Sequence, residues 1–391
     1  MNNLETKKIA ETSKGKKFAK SVAACIPILL LSIVLLSGGS SLPKEPLMKI
    51  SFSISYVFIN VIFFLMVYTK KTYKYRKIFF VIYALLFAVS FMTNLIEVRG
   101  SIFYNESTFI NGQTPFCHMV IPMIIIPAAL NKTIIFPGSL LTGFASIASM
   151  IVIWLGASIA FGRGFCSWAC FYGGLDEGCS SLCKKPKLKI NRKWTYLSFA
   201  ILISIVLLSA ATLAPVYCDW LCPFKAVTEA EQITSSIVLI KTIVFYTLFL
   251  ILVIILPILT GKRTQCGLFC PFGAFQSFSN KINIFEIRID KNKCLSCKKC
   301  VRECPTYSID ENSLANGKAL ITCTKCGKCI DTCPASAVSY HIKGTKIGVK
   351  TNLSRYLFLY PAYIFALTIG GGAMIRGVYR LLKLITTGSF F

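Results

Sequence analysis

Residues 294–334 read CLSCKKCVRECPTYSIDENSLANGKALITCTKCGKCIDTCP. Cys294, Cys297, Cys300 and Cys304 are followed by Pro305, and Cys323, Cys326, Cys329 and Cys333 repeat the same spacing ahead of Pro334. Three thiolates at steps of three wrap one side of a cubane iron–sulfur cluster, and the fourth ligand comes from the other repeat. The spacing therefore assigns one cluster to Cys294, Cys297, Cys300 and Cys333, and a second to Cys323, Cys326, Cys329 and Cys304. Zinc sites and disulfides suit this array poorly, since neither asks for a doubled pattern that closes on Cys-Pro both times. Clusters of this kind pass single electrons, so the rest of the chain has to connect them to a source and a sink.

Working outward, the 391-residue chain is 54% hydrophobic and only 15% charged. Several apolar runs approach the roughly 20 residues that cross a bilayer. A net charge of +27 would suggest nucleic acid in a soluble protein. Here the cations collect in short loops between apolar runs, the topogenic pattern of a membrane protein, which argues against a nucleic-acid partner. Eighteen cysteines could mean a secreted disulfide scaffold. They crowd instead beside the apolar runs and in the 294–333 stretch. Cluster ligands must be reduced thiolates, which places that stretch in the cytoplasm.

The expected spans are 21–37, 50–69, 78–96, 138–161, 194–214 and 241–260, with 354–374 as a seventh span or as an amphipathic segment on the inner surface. The first could be read as the apolar part of a cleaved leader, but no small-x-small cleavage site stands out, and a retained span is expected. Lys70, Lys71, Lys74, Arg76 and Lys77 hold one loop in the cytoplasm, and the basic loop 162–193 and Lys262–Arg263 hold two more. Residues 97–137 and 215–240 fall outside. Within the former, Met119 to Leu130 is too short to cross and is broken by Pro122 and Pro127, so a re-entrant or interfacial segment is expected. Gly370, Gly371 and Gly372 leave the interior of the last apolar run poorly supported as a helix.

A second group of cysteines sits at loop borders: Cys166 and Cys170, Cys179 and Cys183, Cys218 and Cys222 before Pro223, and Cys266 and Cys270 before Pro271. Spacing of four puts both thiols of a pair on one face of a helical turn. One pair cannot complete a cluster, whereas two can. Residues 161–175, FGRGFCSWACFYGGL, and 263–276, RTQCGLFCPFGAFQ, resemble the repeated motifs of NapH- and NosR-type membrane iron–sulfur proteins, and residues 284–342 resemble bacterial two-cluster [4Fe–4S] ferredoxins. The resemblance covers about 138–342, with the NapH type the closer. It implies electron transfer between membrane quinol or a redox partner and other carriers; some members of that family feed respiratory reductases and others support maturation of a metalloenzyme.

The expected topology puts Cys166, Cys170, Cys266 and Cys270 on the cytoplasmic side, where they could share a membrane cluster. A single-loop set of Cys166, Cys170, Cys179 and Cys183 is an alternative. Cys218 and Cys222 fall on the opposite side with Cys117 and His118, where Cys117 could complete a small metal site. Buried free thiols, or a redox disulfide at Cys218 and Cys222, are the plainer readings. Trp168 and Trp220 read as interfacial anchors or as shields for a cluster. Arg163 reads as an ordinary loop cation or as a neighbour of cluster charge. With only His118 and His341, no Cys-x₂-Cys-His and no GxGxxG strand-to-helix turn, haem and nucleotide cofactors find no support.

The expected protein is mainly α: a polytopic transmembrane helical protein of six or seven spans with a small α+β two-cluster ferredoxin-like domain. Its regions are 1–137, with three spans and the short apolar segment; 138–283, carrying the Cys-x₃-Cys pairs; 284–342, with two [4Fe–4S] clusters; and 343–391. One or two further clusters could occupy the membrane loops. The expected function is that of an electron-transfer subunit of an oxidoreductase complex in the cell membrane, linking quinol or a partner subunit to a cytoplasmic electron carrier. A redox-sensing or metalloenzyme-maturation protein of the NosR type is the alternative.

Overall fold

A computed structural model describes residues 3–37, 42–101, 103–104, 116–136, 140–141, 146–183, 186–228, 230–346 and 351–391. Among the described residues, seven helical segments are long and apolar enough to cross a membrane: Gly15–Ser37, Pro46–Thr69, Thr72–Val98, Ile147–Trp168, Arg192–Thr212, Ser236–Thr260 and Asn352–Thr387. The chain is a multi-pass membrane protein. Residues 137–139 and 142–145, where the fourth span was expected to begin, lie outside the described residues.

The first three spans are α1 (Asn3–Ser37), α2 (Pro46–Thr69) and α3 (Thr72–Arg99). The short apolar segment is α4 (Ile121–Asn131), entered through a tight turn at His118–Val120. Pro122 sits in its first turn, where a missing N–H costs nothing, so only Pro127 interrupts it. The fourth span contains α5 (Ile147–Phe161), followed by the short helix α6 (Phe171–Ser180). Next come α7 (Leu197–Thr212), α8 (Ser236–Leu248, continuing to Thr260) and α9 (Pro271–Ile282). In the ferredoxin-like part, β1 (Phe285–Ile289) pairs antiparallel with β2 (Val338–Ile342), Phe285 opposite Ile342 and Ile289 opposite Val338. The eight cysteines lie between these two strands in sequence.

The last apolar run is one continuous helix, α10 (Thr351–Thr387), packed against α1, α2, α3, α5 and β2. The glycines that seemed to weaken it have a packing role. A Cβ at Gly370 would fall inside the Tyr83 ring, and one at Gly377 would strike the Leu86 backbone. Small residues let two apolar helices approach closely, which is how helices associate where lipid removes the hydrophobic drive. Tyr363 donates to the Ile59 carbonyl at 2.7 Å, and Arg355 donates to Thr72 Oγ1, so α10 also ties α2 to α3. At its far end Arg380 pairs with Glu97 at the end of α3. That pairing is why basic residues there need not follow the charge bias of exposed loops.

Candidate iron–sulfur centres

The two repeats of the ferredoxin-like part fold alike because their backbones bend at matched positions. Ser296, Lys298 and Tyr307 have positive φ, and so do Lys325, Gly327 and Ser336, each twenty-nine positions on, the spacing from Cys294 to Cys323. Left-handed residues curl the chain so that N–H groups turn inward. Ser308 N–H donates to Cys304 Sγ at 3.1 Å, and Ala337 N–H, at the matched place, donates to Cys333 Sγ at 3.3 Å. Such donors offset negative charge on sulfur.

Cys294, Cys297, Cys300 and Cys333 line one small cavity closed by Pro334. The thiols of Cys323, Cys326, Cys304 and Cys300 all act on Cys329, so the second set lies together and against the first. Burial pushes the Cys323 thiol up to about 12 and holds Cys329 well above its ordinary value. These thiols ionise when a metal replaces the proton. None of the eighteen cysteines is in a disulfide. Among the described residues, no three Cys, His, Asp or Glu side chains stand close enough to hold a single metal ion. The doubled cysteine pattern, set on matched backbone bends, is the donor chemistry of an iron–sulfur cluster, so the donor set fits one.

The loop pairs share a construction of their own. In three of them the second Cys is extended and stands just before a helix or turn: Cys170 at φ −78°, ψ 109°; Cys222 at −77°, 108°; Cys270 at −69°, 112°. Pro223 and Pro271 follow as first helical residues, whose missing N–H is not needed there. Gly273 N–H donates to Cys270 Sγ at 3.2 Å. The helix start thus aims N–H groups and its positive end at the sulfur.

Two of these pairs interlock. Arg163, three residues before Cys166, donates to the Cys266 carbonyl at 3.0 Å. Arg263, three residues before Cys266, donates to the Cys166 carbonyl at 2.7 Å. Arg163 also reaches Ser277 Oγ at 2.8 Å, and Arg263 reaches Ser167 Oγ at 2.6 Å. Gly173 and Gly273 make room at matched places, each with a Cβ position against a carbonyl and an arginine. Arg163, Cys166, Cys170 and Gly173 recur one hundred positions later as Arg263, Cys266, Cys270 and Gly273. The thiols acting on Cys170 include Cys166 and Cys270, and those on Cys266 include Cys270 and Cys170. Cys166, Cys170, Cys266 and Cys270 therefore face one another across a pseudo-twofold arrangement. Cys179 and Cys183 lie half-buried at the far end of α6 and just beyond it, Cys179 beside Asp176.

The expected separation of Cys117, Cys218 and Cys222 from this group does not hold. His118 Nε2 lies 3.3 Å from Cys170 Sγ, and Met119 Sδ lies 4.0 Å from Cys270 Sγ. Cys222 acts on Cys270. The start of α4 is buried against the motif loops rather than lying on an outer surface. Apolar, glycine-containing loops turn back into the bundle, so the loop borders of the hydropathy pattern do not mark opposite faces.

The membrane loops also carry the ferredoxin-like part. Trp168 is fully buried and donates to the Lys325 carbonyl at 3.4 Å, next to Cys326; it is no interfacial anchor. Arg76 donates to the Cys326 carbonyl at 3.1 Å and pairs with Glu177, which also lies 3.6 Å from Arg263. Asp176 accepts from Cys266 N–H at 2.9 Å. Lys262 Nζ donates to the Cys304 carbonyl at 2.8 Å. This buried network of Arg76, Glu177 and Arg263 escaped the sequence reading. The hundred-residue recurrence of Arg-x₂-Cys-x₃-Cys was its visible signal.

Comparison with known proteins follows this layout. Residues 286–334 match the family described as a 4Fe-4S dicluster domain. Residues 142–191, 194–232 and 242–291 each match a 4Fe-4S binding domain, one match for each of the pairs 166/170, 218/222 and 266/270. The chain is a relative of the NapH- and NosR-type ferredoxin proteins. It is 30% identical over 170 residues to an uncharacterised protein of Methanocaldococcus jannaschii, covering 41% of this chain and 58% of that one. It is 25% identical over 188 residues to the putative electron transport protein YccM of Escherichia coli, covering 43% and 48%. To the ferredoxin-type protein NapH of Haemophilus influenzae it is 27% identical over 188 residues, covering 45% and 61%. The chain thus spans about half the length of the curated relatives it matches. No solved structure matches it. Fold, motifs and family matches together make this a multi-pass membrane protein with 4Fe-4S binding domains.

Proposed function

We propose that the protein oxidises a membrane quinol and passes the electrons, one at a time, to a soluble cytoplasmic carrier or partner subunit at its ferredoxin-like face. In this reading Cys166, Cys170, Cys266 and Cys270 hold a membrane [4Fe–4S] cluster. Cys323, Cys326, Cys329 and Cys304 hold the next one, and Cys294, Cys297, Cys300 and Cys333 the outermost. The order follows contact: Trp168 and Arg76 join the membrane pair to Cys326, and Cys300 acts on Cys329. Cys297 is exposed, which suits an exit to a soluble partner.

The observation that carries the quinol is a cavity of about 270 Å³ between α3, α5 and α10, lined by Phe87, Phe91, Trp154, Phe171, His118 and Tyr172 among others. Its wall is apolar and aromatic with a few convergent polar groups, the usual composition of a small-molecule site. His118 touches both this cavity and Cys170 Sγ. Oxidation of a quinol releases two electrons and two protons. The imidazole is placed to take a proton beside the thiol that would ligate the electron acceptor. When bound, the cluster supplies one-electron steps. His118, Tyr172 and the aromatic walls orient the ring and exclude water.

Anaerobic stopped-flow reduction with a short-chain quinol tests the reading. Wild-type protein is expected to show cluster bleaching with the quinol and with dithionite. His118→Gln with Trp154→Ala is expected to respond to dithionite alone. Wild-type clusters that dithionite reduces and no quinol reduces would refute the quinol reading.

A further inference from the structure

Of the four Cys-x₃-Cys pairs, two interlock and Cys179 and Cys183 lie at the far end of α6 and just beyond it, which leaves Cys218 and Cys222 over. Cys222 nevertheless holds the backbone conformation of Cys170 and Cys270, within a few degrees. The backbone N–H of Phe224 lies within reach of its sulfur, Lys225 N–H donates to the Cys222 carbonyl at 3.4 Å, and the Lys225 ammonium acts on both Cys222 and Cys218. The leftover pair is therefore built as a ligand pair, with a donor and a cation to offset thiolate charge.

Its partner is Cys117. This residue is extended, φ −101° and ψ 136°, and stands just ahead of the His118–Val120 turn and α4. That is the same placement before a helix or turn as Cys170, Cys222 and Cys270. Cys117 acts on both Cys218 and Cys222, and its sulfur lies 3.5 Å from the Tyr172 hydroxyl. Tyr172 stacks on Phe224, centroids 3.9 Å apart, closing the group on one side. Cys117 also lines the aromatic cavity.

A fourth thiol does not exist for this group. Eight of the eighteen cysteines belong to the ferredoxin-like part and four to the interlocked pairs. With Cys117, Cys218 and Cys222 set aside, Cys25, Cys179 and Cys183 remain. Cys25 is buried in α1 near Tyr360 and Tyr363, and the other two lie at the end of α6. His118 already faces Cys170, and His341 is in β2.

We infer that Cys117, Cys218 and Cys222 hold a further [4Fe–4S] cluster by three thiolates only, leaving one iron without a cysteine ligand and open to a small exogenous ligand such as water or cyanide. This inference does not depend on the quinol reading, because its readout is cluster composition rather than turnover. A cluster with an iron not held by cysteine loses that iron on mild oxidation: [4Fe–4S]²⁺ gives [3Fe–4S]⁺, Fe²⁺ and one electron, which ferricyanide accepts to become ferrocyanide.

The test uses full-length protein purified without oxygen. Four cubanes give about sixteen irons per chain, and brief ferricyanide treatment is expected to give a three-iron EPR signal. Cys117→Ser and Cys222→Ser should each remove about four irons and that signal, while the signals of the ferredoxin-like part remain. An iron count that Cys222→Ser leaves unchanged, no three-iron signal in the wild type, or a three-iron signal that survives Cys222→Ser would overturn the inference. The wild-type measurements decide the matter even if a variant does not accumulate.

Discussion

Arg163 donates to the carbonyl of Cys266 at 3.0 Å, although the two residues are separated by the whole of α6, α7 and α8. The reverse bond, from Arg263 to Cys166, is 2.7 Å. Each motif is thus held in shape by the other. Both arginines are buried, where a rigid, planar guanidinium fork reaches a carbonyl and a hydroxyl at fixed positions, a geometry that lysine's single ammonium does not reproduce. Arg163→Lys and Arg263→Lys are each expected to lower iron by about four per chain, and metal analysis beside EPR of the ferredoxin-like part checks this.

Cys266→Ser removes a thiolate from the interlocked set. Iron should fall by about four per chain, with ferredoxin-type signals kept. Cys179→Ser is the matched control and should leave the iron count intact. Loss of iron in Cys179→Ser alone would favour the single-loop ligand set instead.

Gly173 has no room for a methyl group: its Cβ would collide with the Cys166 carbonyl and the Arg263 guanidinium. Gly173→Ala should destabilise the protein by about 1–3 kcal/mol and displace Arg263. Gly178, on the same helix, meets only Val81 side-chain carbons, the nearest at 3.3 Å. Gly178→Ala should be much milder. Thermal unfolding in detergent, followed with cluster absorbance, separates the two.

Glu177 is the anion between Arg76 and Arg263, and all three are buried. The arginines hold its carboxyl below the usual glutamate range despite burial. Glu177→Gln leaves buried positive charge uncompensated, a change that costs about 3–5 kcal/mol. Low yield and loss of the membrane cluster are expected. Adding Arg76→Met should recover part of the yield by removing one of the orphaned charges.

Six spans and the two-cluster part were legible, and the seventh as one of two readings, because they rest on local signals: runs of apolar residues, and cysteines at fixed steps. What the sequence concealed depends on contacts between distant segments. Hydropathy placed Cys117 and Cys218 across the membrane from Cys170, because it treats every polar or glycine-rich gap as an exit to water. The Cys170–His118 contact shows a loop turning back among helices. Gly370 looked like a weak point by helix propensity, which does not include the Tyr83 ring packed over it. Trp168 resembled an anchor by its place at a span end, yet its indole N–H is committed to Lys325.

The position of α10 bears on how the protein is made. It is synthesised after every thiol in the chain, yet it lies against α1, α2, α3 and α5 and bonds to Ile59 and Thr72. Until it arrives, the rings of Tyr83 and Phe63 have no neighbour on that side, and the early helices must wait in the lipid unclosed. Metal delivery could therefore reach the nascent loops before the bundle shuts, and the final helix would act as the latch.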